Sequence, residues 1–308
     1  MNKKTALFWD ERYLKHDTGP FHPERPARLT AIKEILNQDH HYQWLAPKEA
    51  TVEQLLRVHS QAHINDVLKQ RGRGGYYLDG DTPGSVGSVD AALLAAGGVI
   101  EAVKVVDAGV APNAFVFPRP PGHHAESDHA MGFCFFNNIA IAAEYLINDL
   151  KKKRVAIMDF DVHHGNGTQH SFYDRSDVLF LSTHRFPFYP GTGDADEKGQ
   201  GEGLGYTVNV PLDDGAGDED LQRAFETAII PAIDNYKPEF ILVSAGYDAH
   251  QRDPLGGLRV SKDGFRLASQ ALTDLAKKHC GGKIVYVLEG GYDLKGLQEG
   301  VEATLLTL

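Results

Sequence analysis

Short apolar runs rich in β-branched residues recur along the chain, and longer stretches with apolar residues at helical spacing separate them. The short runs predict buried strands, because a strand covered on both faces carries apolar side chains on both. We predict strands at residues 5–9, 114–117, 155–159, 178–182, 206–210, 240–244 and 284–288. The longer stretches predict helices at residues 26–36, 52–59, 61–68, 88–108, 138–149, 220–235, 261–279 and 295–307. This alternation is typical of an α/β protein with a mostly parallel sheet.

Several of the predicted helices begin or end at residues that favour helix termini. Ser88, Asn137 and Ser261 are candidate N-caps, because their side-chain oxygens can accept a hydrogen bond from the first turn. The glycine pair at Gly281 and Gly282 should end the helix before it. No repeat, low-complexity run or change of composition marks a linker. We therefore expect residues 1–308 to form a single domain.

Composition and charge narrow the class of protein. The 308 residues are 42% hydrophobic and include 32 glycines, which suits a globular enzyme with many tight turns. The net charge of −11 argues against nucleic acid as a partner and favours a cationic substrate. The two cysteines, Cys134 and Cys280, are too few for a disulfide framework or a cysteine zinc site. No signal peptide or membrane-length apolar run is found, so we expect a soluble, cytoplasmic protein.

The candidate chemistry begins where the strand at 155–159 ends. Asp161 and His163 are two residues apart, so on an extended backbone their side chains leave from the same face. Open α/β sheets place their sites at such carboxyl ends. Aspartate and histidine are also common turn formers and caps at strand ends, so this pair alone leaves both interpretations open.

Other predicted strands also end in polar, chemically capable residues. Because the carboxyl ends of parallel strands meet at one sheet edge, these segments should share a crevice. Asp161, His163 and Asp248 would then form a three-ligand site with open positions, the arrangement of a catalytic zinc. The adjacent His123 and His124 would supply a base. The strand-end segments are residues 123–124, 159–163, 182–184, 246–248 and 290–292.

Five motifs together resemble the zinc-dependent histone deacetylase family, which includes acetylpolyamine amidohydrolases. The motifs are RPPGHHA at 119–125, DFDVHHGNG at 159–167, YPGTG at 189–193, DPLGG at 253–257 and LEGGYD at 288–293. The similarity runs from His22 to Asp293, and Asn166 with the DPLGG motif resembles the class II branch, in which bacterial members are common. It implies a single-domain, three-layer arginase/deacetylase-type α/β fold with a central, mostly parallel sheet flanked by helices.

The resemblance assigns roles to the residues that match the family motifs. It implies that Asp161, His163 and Asp248 bind one catalytic zinc ion. His124 would be the general base and then the acid, and His123 its electrostatic partner. Asp159 would orient His123, while Asn166 stands where many class I relatives have an aspartate. That departure leaves His124 with less carboxylate support. Tyr292 would donate its hydroxyl to the substrate carbonyl.

The resemblance also implies a substrate tunnel and one or two structural potassium ions. Phe133 and Tyr189 would wall the tunnel, although relatives usually carry phenylalanine at the second position. The remaining substrate-binding positions are Gly132 and Gly290 for close approach, Arg28 near the acetate channel, and Leu255 and Asp81 at the rim. One potassium would be bound by Asp159, Ser182 and Thr183 with the backbone carbonyls of Asp161 and His163, and a second would involve Phe172, Val178 and Tyr206.

We expect the substrate to be an acetylated lysine peptide or a small N-acetylated amine, and the oligomeric state stays open. In polyamine-selective relatives a glutamate occupies the position of Leu255, so an aliphatic residue there favours acyl-lysine over acetylpolyamine. Asp17, Asp79 and Asp81 can still supply negative charge at the rim. The alternatives are an acetylpolyamine amidohydrolase, an arginase-type ureohydrolase, which needs more ligands for two manganese ions, and a catalytically weak acetyl-lysine binding module.

Overall fold

A computed structural model describes residues 3–36 and 41–308, and a parallel sheet runs through this part of the chain. The sheet has eight strands in the order β2-β1-β5-β10-β9-β6-β7-β8, and all its neighbours pair in parallel. A separate antiparallel hairpin is formed by β3 and β4. The predicted parallel sheet is therefore confirmed. The strands are β1 (Ala6–Phe8), β2 (Gln43–Leu45), β3 (Tyr76–Tyr77), β4 (Pro83–Gly84), β5 (Ala114–Val116), β6 (Val155–Asp159), β7 (Val178–Arg185), β8 (Thr207–Leu212), β9 (Phe240–Ala245) and β10 (Ile284–Leu288).

Helices fill the connections between the strands. They are α1 (Ala27–Leu36), α2 (Val52–Leu55), α3 (Gln61–Leu68), α4 (Ser88–Asp107), α5 (Asn138–Asn148), α6 (Asn166–Phe172), α7 (Asp218–Ala224), α8 (Ile230–Tyr236), α9 (Lys262–Cys280) and α10 (Leu294–Leu305). No helix in residues 3–36 and 41–308 is long and apolar enough to cross a membrane.

The helices cover the sheet on both faces and give three layers. Alternate residues of one strand point to opposite sides, so Met158 of β6 packs in one apolar cluster and Ile157 in the other. The first cluster includes side chains of α1, α9 and α10, and the second includes side chains of α4 and α5. With both faces covered, functional side chains are left to the strand ends and the loops beyond them.

Some of the predicted details are confirmed and others are wrong. Asn137 and Ser261 cap α5 and α9, and Gly281 ends α9 in the left-handed conformation at φ 65°. Ser88 is not an N-cap, because it lies within α4 and its hydroxyl pairs with His16 and accepts from the N–H of Ser85. The helix predicted at 52–59 is limited to α2, and β2 and α6 were not predicted.

The helix predicted at 220–235 is interrupted. A π-helical segment, Phe225–Ile229, separates α7 from α8, which begins with Pro231 in its first turn. Proline has no N–H to donate to the preceding turn, which accounts for the irregular hydrogen bonding just before it.

Candidate metal centre and active site

Two adjacent strands of the sheet, β6 and β9, position a group of three metal-binding side chains. Asp161 and His163 follow β6, and Asp248 follows β9. Their ligand atoms all lie within 4.8 Å of one another. His163 Nδ1 lies 3.0 Å from Asp161 Oδ1 and 3.2 Å from Asp248 Oδ2. Asp161 and His163 do meet, but through a bend at 161–163 in which His163 N donates to Asp161 Oδ1 at 2.9 Å and not through the extended backbone that the same-face argument assumes; the neighbouring strand adds Asp248.

The bonding of these carboxylates fits a metal ion. One oxygen of each carboxylate accepts a backbone hydrogen bond: Gly290 N donates to Asp161 Oδ2 at 2.8 Å, and Val162 N donates to Asp248 Oδ1 at 2.9 Å. Asp248 Oδ2 is buried and accepts no hydrogen bond, although His163 Nδ1 lies 3.2 Å away. A buried carboxylate oxygen without a partner is costly unless a cation neutralises it. Two carboxylates and one imidazole form a metal-binding triad with open positions.

Gly290 leaves room for this triad. A Cβ atom at Gly290 would lie 2.1 Å from Asp248 Oδ2 and 2.6 Å from Asp161 Oδ2, closer than any real contact. The sequence predicted this glycine as a point of close substrate approach. Its position also shows that a side chain there would displace both carboxylates.

A pair of histidines beside the triad differs in protonation. His123 Nδ1 donates to Asp159 Oδ2 at 2.9 Å, while His124 Nδ1 lies 2.7 Å from Asn166 Oδ1. Burial alone would lower the pKa of His123, but the carboxylates of Asp159 and Asp161 raise it to about 10. Burial, and then the positive charge of neighbouring histidines, hold the pKa of His124 well below its usual range. The two pKa values are therefore shifted in opposite directions, which favours a protonated His123 and a neutral His124.

A buried carboxylate holds the turn that carries the two histidines. Glu289, at the end of β10, accepts hydrogen bonds from Gly122 N at 2.7 Å and His123 N at 3.3 Å. Burial raises the pKa of Glu289 to about 7. This contact joins the histidine turn to the strand that leads into Tyr292.

A narrow cavity of about 120 Å³ opens onto the histidine pair and onto His163 of the triad. Tyr189 faces His124 edge-on with ring centroids 5.1 Å apart, and Phe133 faces Tyr292 in the same way at 6.1 Å. Aromatic walls of this kind accept an aliphatic chain. The lining residues are Asp81, Pro121, His123, His124, Gly132, Phe133, His163, Tyr189, Leu255, Gly290 and Tyr292.

The backbone of one cavity wall is strained. Phe133 has φ 69°, a left-handed conformation that is rare for a bulky residue. A hydrogen bond from Phe133 N to Thr82 Oγ1 at 3.1 Å and a turn closed by Cys134 N and Met131 O at 2.9 Å stabilise it. Gly132 precedes it at φ 57°, where a Cβ would lie 2.4 Å from His124 Cδ2. The strain places the Phe133 ring against the cavity.

Tyr292 lies in the same cavity and is fixed through its backbone. Its N–H donates to Asp253 Oδ2 at 2.6 Å. Arg28, which is fully buried, donates from Nε to Gly291 O at 2.6 Å, and its guanidinium carbon lies 5.1 Å from the Tyr292 ring centroid. Burial, and next the charge of Asp248, raise the pKa of Tyr292 well above its usual range. The phenol is therefore protonated and able to donate.

The remaining predicted residues are found at the rim and on the neighbouring strand. Leu255 is 39% exposed at the mouth, and Asp81 lies there with its N–H bonded to Asp79 Oδ1 at 2.8 Å. Ser182 pairs with Asp159 in register between β7 and β6, next to Thr183, where the potassium site was predicted.

Several contributors were missed by the sequence reasoning. Phe188 stacks on the ligand His163 with ring centroids 5.3 Å apart and planes at 12°. Asp253 belongs to the DPLGG motif, but the family resemblance implies no role for its carboxylate. Glu126 follows the histidine pair closely in sequence and hydrogen-bonds Asn166. Asp253 and Glu126 lie in or next to motifs that the sequence shows, whereas no motif points to Phe188.

A three-layer α/β fold with a buried Asp-His-Asp triad beside a histidine pair defines a metal-binding hydrolase site. Residues 22–308 match the model of the histone deacetylase domain. The chain is 42% identical to a probable deacetylase of Archaeoglobus fulgidus, over 95% of this chain and 82% of that protein. It is 38% identical to the histone deacetylase-like amidohydrolase of Pseudomonas aeruginosa, over 95% of this chain and 82% of that protein.

A solved structure agrees with these sequence matches. The crystal structure of the HDA15 HD domain superposes with a TM-score of 0.94 at 40% identity, covering 98% of this chain and 87% of that one. The chain belongs to the histone deacetylase family, and it is a deacetylase-family hydrolase with the α/β fold that the resemblance implied.

Proposed function

We propose that the protein is a zinc-dependent amidohydrolase that removes acetyl or related acyl groups from N-acylated lysine side chains or similar alkylamines. The observation that carries the proposal is the position of the metal-binding triad and a neutral histidine at the base of a narrow, aromatic-walled cavity. Asp161, His163 and Asp248 would hold the zinc. When bound, zinc lowers the pKa of a water molecule and polarises a carbonyl.

His124 is proposed as the general base and acid. Its Nδ1–H donates to Asn166 Oδ1, which leaves Nε2 free to accept a proton. As water attacks the acyl carbon, Nε2 takes the proton, and when the C–N bond breaks it returns the proton to the leaving amine. The products are a carboxylic acid and an amine. His123 stays cationic beside it and stabilises negative charge that develops on the substrate.

Tyr292 is proposed as the donor to the substrate oxygen. Its phenol is protonated, and Asp253 and Arg28 fix the segment that carries it. A preorganised donor aimed at a developing oxyanion supplies several kcal/mol of transition-state stabilisation.

The cavity walls support an alkylamine stem as the part of the substrate that enters. Phe133 and Tyr189 offer apolar faces to the methylene groups, and Leu255 at the mouth carries no charge, although Asp81 lies there too. We propose acyl-lysine over acetylpolyamine because Leu255 cannot pair with a distal ammonium group. Asp81 at the mouth would accept hydrogen bonds from backbone amides of a peptide.

We further propose a structural potassium ion beside the triad. Asp159, Ser182 and Thr183 would contribute to this site, and the pairing of β6 with β7 supports it because it places Asp159 opposite Ser182. A second potassium would involve Phe172, Val178 and Tyr206. Removing potassium would then lower the thermal stability of the zinc-loaded protein.

Two rival functions receive less support. A two-manganese ureohydrolase needs a larger ligand set, whereas one group of three or more suitable side chains is found within residues 3–36 and 41–308. A binding module would not require a neutral base and a buried phenol at the end of the cavity. Measured metal stoichiometry and turnover separate these functions.

The test is a panel of acetyl-lysine peptides, acetylated polyamines and longer acyl-lysines assayed against the zinc-loaded enzyme. Asp161→Ala and Asp248→Ala should each lose the metal and at least about 10²-fold in activity, because each removes one of three protein ligands. Metal content is measured by mass spectrometry on the purified variants. Full activity in metal-free variant protein would rule the proposal out, and a tenfold wild-type preference for acetylspermidine would reverse the substrate ranking.

A further inference from the structure

The side-chain amide of Asn166 has different partners on its two sides. Its Oδ1 lies 2.7 Å from His124 Nδ1, while its Nδ2 lies 2.5 Å from Glu126 Oε1 and 3.3 Å from the carbonyl oxygen of His124. We propose that Glu126 is a positioning residue that fixes the orientation of this amide and thereby the tautomer of His124. The inference rests on the proposed role of His124 as the general base.

An amide side chain can turn over by 180° and exchange its oxygen and nitrogen. The side that faces Glu126 meets a carboxylate and a carbonyl, and both are acceptors. Only the NH₂ group can bond there, so the oxygen must face the ring of His124. The charged acceptor is the stronger of the two, since hydrogen bonds to a carboxylate are about twice as strong as neutral ones.

The orientation of the amide decides which nitrogen of His124 carries the proton. With the Asn166 oxygen facing Nδ1, His124 must donate from Nδ1, and Nε2 keeps its lone pair. With the amide reversed, the NH₂ group would face Nδ1, and the proton would move to Nε2. A protonated Nε2 on a neutral ring cannot accept a proton from water. Glu126 therefore acts on the reaction through Asn166.

Glu126 is itself held in place. Its backbone N–H donates to His129 O at 3.0 Å, and its carbonyl accepts from His59 Nδ1 at 2.8 Å. His170 Nδ1 lies 2.9 Å from the same Oε1 that bonds Asn166. The Glu126 side chain is 14% exposed and lines a separate surface cavity of about 230 Å³. The carboxylate is thus anchored from outside the substrate cavity, and changing it leaves the cavity walls intact.

The kinetic test measures how fast three single variants and the wild type hydrolyse the same acetylated substrate. Glu126→Ala should lower kcat roughly tenfold with KM unchanged, a typical effect of removing an outer-shell partner. Glu126→Gln should keep most of the activity, because its amide oxygen can still accept from Asn166. Asp128→Ala, an exposed neighbour on the same loop, is the control with unchanged kcat. Equal losses in the alanine and glutamine variants would overturn the proposal.

A second background makes the test independent of any general destabilisation. In Asn166→Asp the two oxygens are equivalent, so no orientation has to be fixed, and Glu126 then faces another carboxylate. The tenfold cost of Glu126→Ala should disappear in that background. An undiminished cost there would show that Glu126 acts by another route.

A spectroscopic measurement separates this proposal from the proposed function. In metal-loaded protein with ¹⁵N-labelled histidine, the His124 signals, assigned by their loss in His124→Ala, should show protonated Nδ1 in the wild type. Glu126→Ala should shift them toward the Nε2-protonated form. That shift is expected whether or not a substrate has been found, so absence of turnover with the shift present would count against the proposed function alone. An unchanged tautomer would overturn the role of Glu126.

Discussion

Two adjacent histidines of this protein have pKa values shifted in opposite directions because their surroundings differ. Burial alone would lower the pKa of His123, but the carboxylates of Asp159 and Asp161 raise it to about 10, whereas His124 is buried and faces the neutral amide oxygen of Asn166. Their rings lie 4.0 Å apart, so a charge on the first also disfavours a charge on the second. Burial and the nearby charge of His123 thus favour the neutral form of His124, as its proposed role as the base requires.

At Tyr292, removing a single oxygen should reduce turnover without loss of structure. Tyr292→Phe is expected to lower kcat by roughly 10²–10³, the usual effect of losing one oxyanion donor. Zinc content and the unfolding midpoint should not change. Tyr286→Phe on β10 is the matched control, since its hydroxyl bonds Ser269 O at 3.3 Å, away from the cavity. An unchanged kcat in Tyr292→Phe would exclude the phenol as the donor.

At Leu255, a single side chain should adjust the choice between two substrates. Leu255→Glu places a carboxylate at the cavity mouth, so kcat/KM for acetylspermidine should rise at least several-fold relative to an acetyl-lysine peptide, because an ion pair across the mouth adds about 1 kcal/mol. Leu255→Gln has nearly the same shape without the charge and should not change the ratio. Equal ratios in the two variants would show that charge at this position has no role.

The segment after β10 has to pass very close to the carboxylates of the metal-binding triad. Gly290→Ala should strongly weaken zinc binding, because the added Cβ would lie 2.1 Å from Asp248 Oδ2. We expect at least about a 10²-fold loss of metal affinity, measured by competition with a chelator, since both carboxylates must move. Gly80→Ala is the control, as no atom lies within 4 Å of the added Cβ there. Normal zinc binding in Gly290→Ala would contradict this packing.

Periodicity predicted elements whose own residues determine them. The long apolar runs of β6, β9 and β10 and the capped helices α5 and α9 are of this kind. The strand β2 was missed because its residues Gln43 and Trp44 are exposed and show no buried pattern. In the site, Asp161 and His163 do meet, but through a bend at 161–163 and not through the extended backbone that the spacing argument assumes. The contact of Phe188 with His163 depends on how two loops meet, which no local pattern encodes.

A buried ion cluster, formed by Glu24, Arg28 and Arg119, connects the N-terminal region of the chain to the residues that follow β5. Glu24 pairs with Arg119 at 2.5 Å and with Arg28 at 3.2 Å. Burial alone would raise the pKa of Glu24, but Arg119 above all, and then His16 and Arg28, lower it from 4.5 to about 2. A lowered pKa means that this stabilisation is complete above pH 4.5 and is lost as the pH falls toward 2.

We therefore expect the difference in stability between the wild type and Glu24→Gln to shrink with acid. The carboxylate should contribute on the order of 3 kcal/mol near pH 7, and this advantage should decline between pH 4.5 and 2. Urea unfolding followed by circular dichroism at a series of pH values measures it. Glu219→Gln, at an exposed position of α7, is the control and should change the stability little. A constant gap for Glu24→Gln would contradict the ion-cluster account.

The division of the site between strand ends and loops has a consequence for how such an enzyme can be redesigned. The triad and the base are held by strand ends and the turn that Glu289 anchors, whereas Asp81, Tyr189 and Leu255 belong to separate loops outside the sheet. A loop exchanged for that of a relative alters the opening but leaves the hydrogen bonds that hold the ligands in place. Exchanging Leu255 or residues 79–81, with Thr82, Phe188 and Asp253 kept because they hold Phe133, His163 and Tyr292, is therefore a route to new selectivity with an unaltered reaction centre.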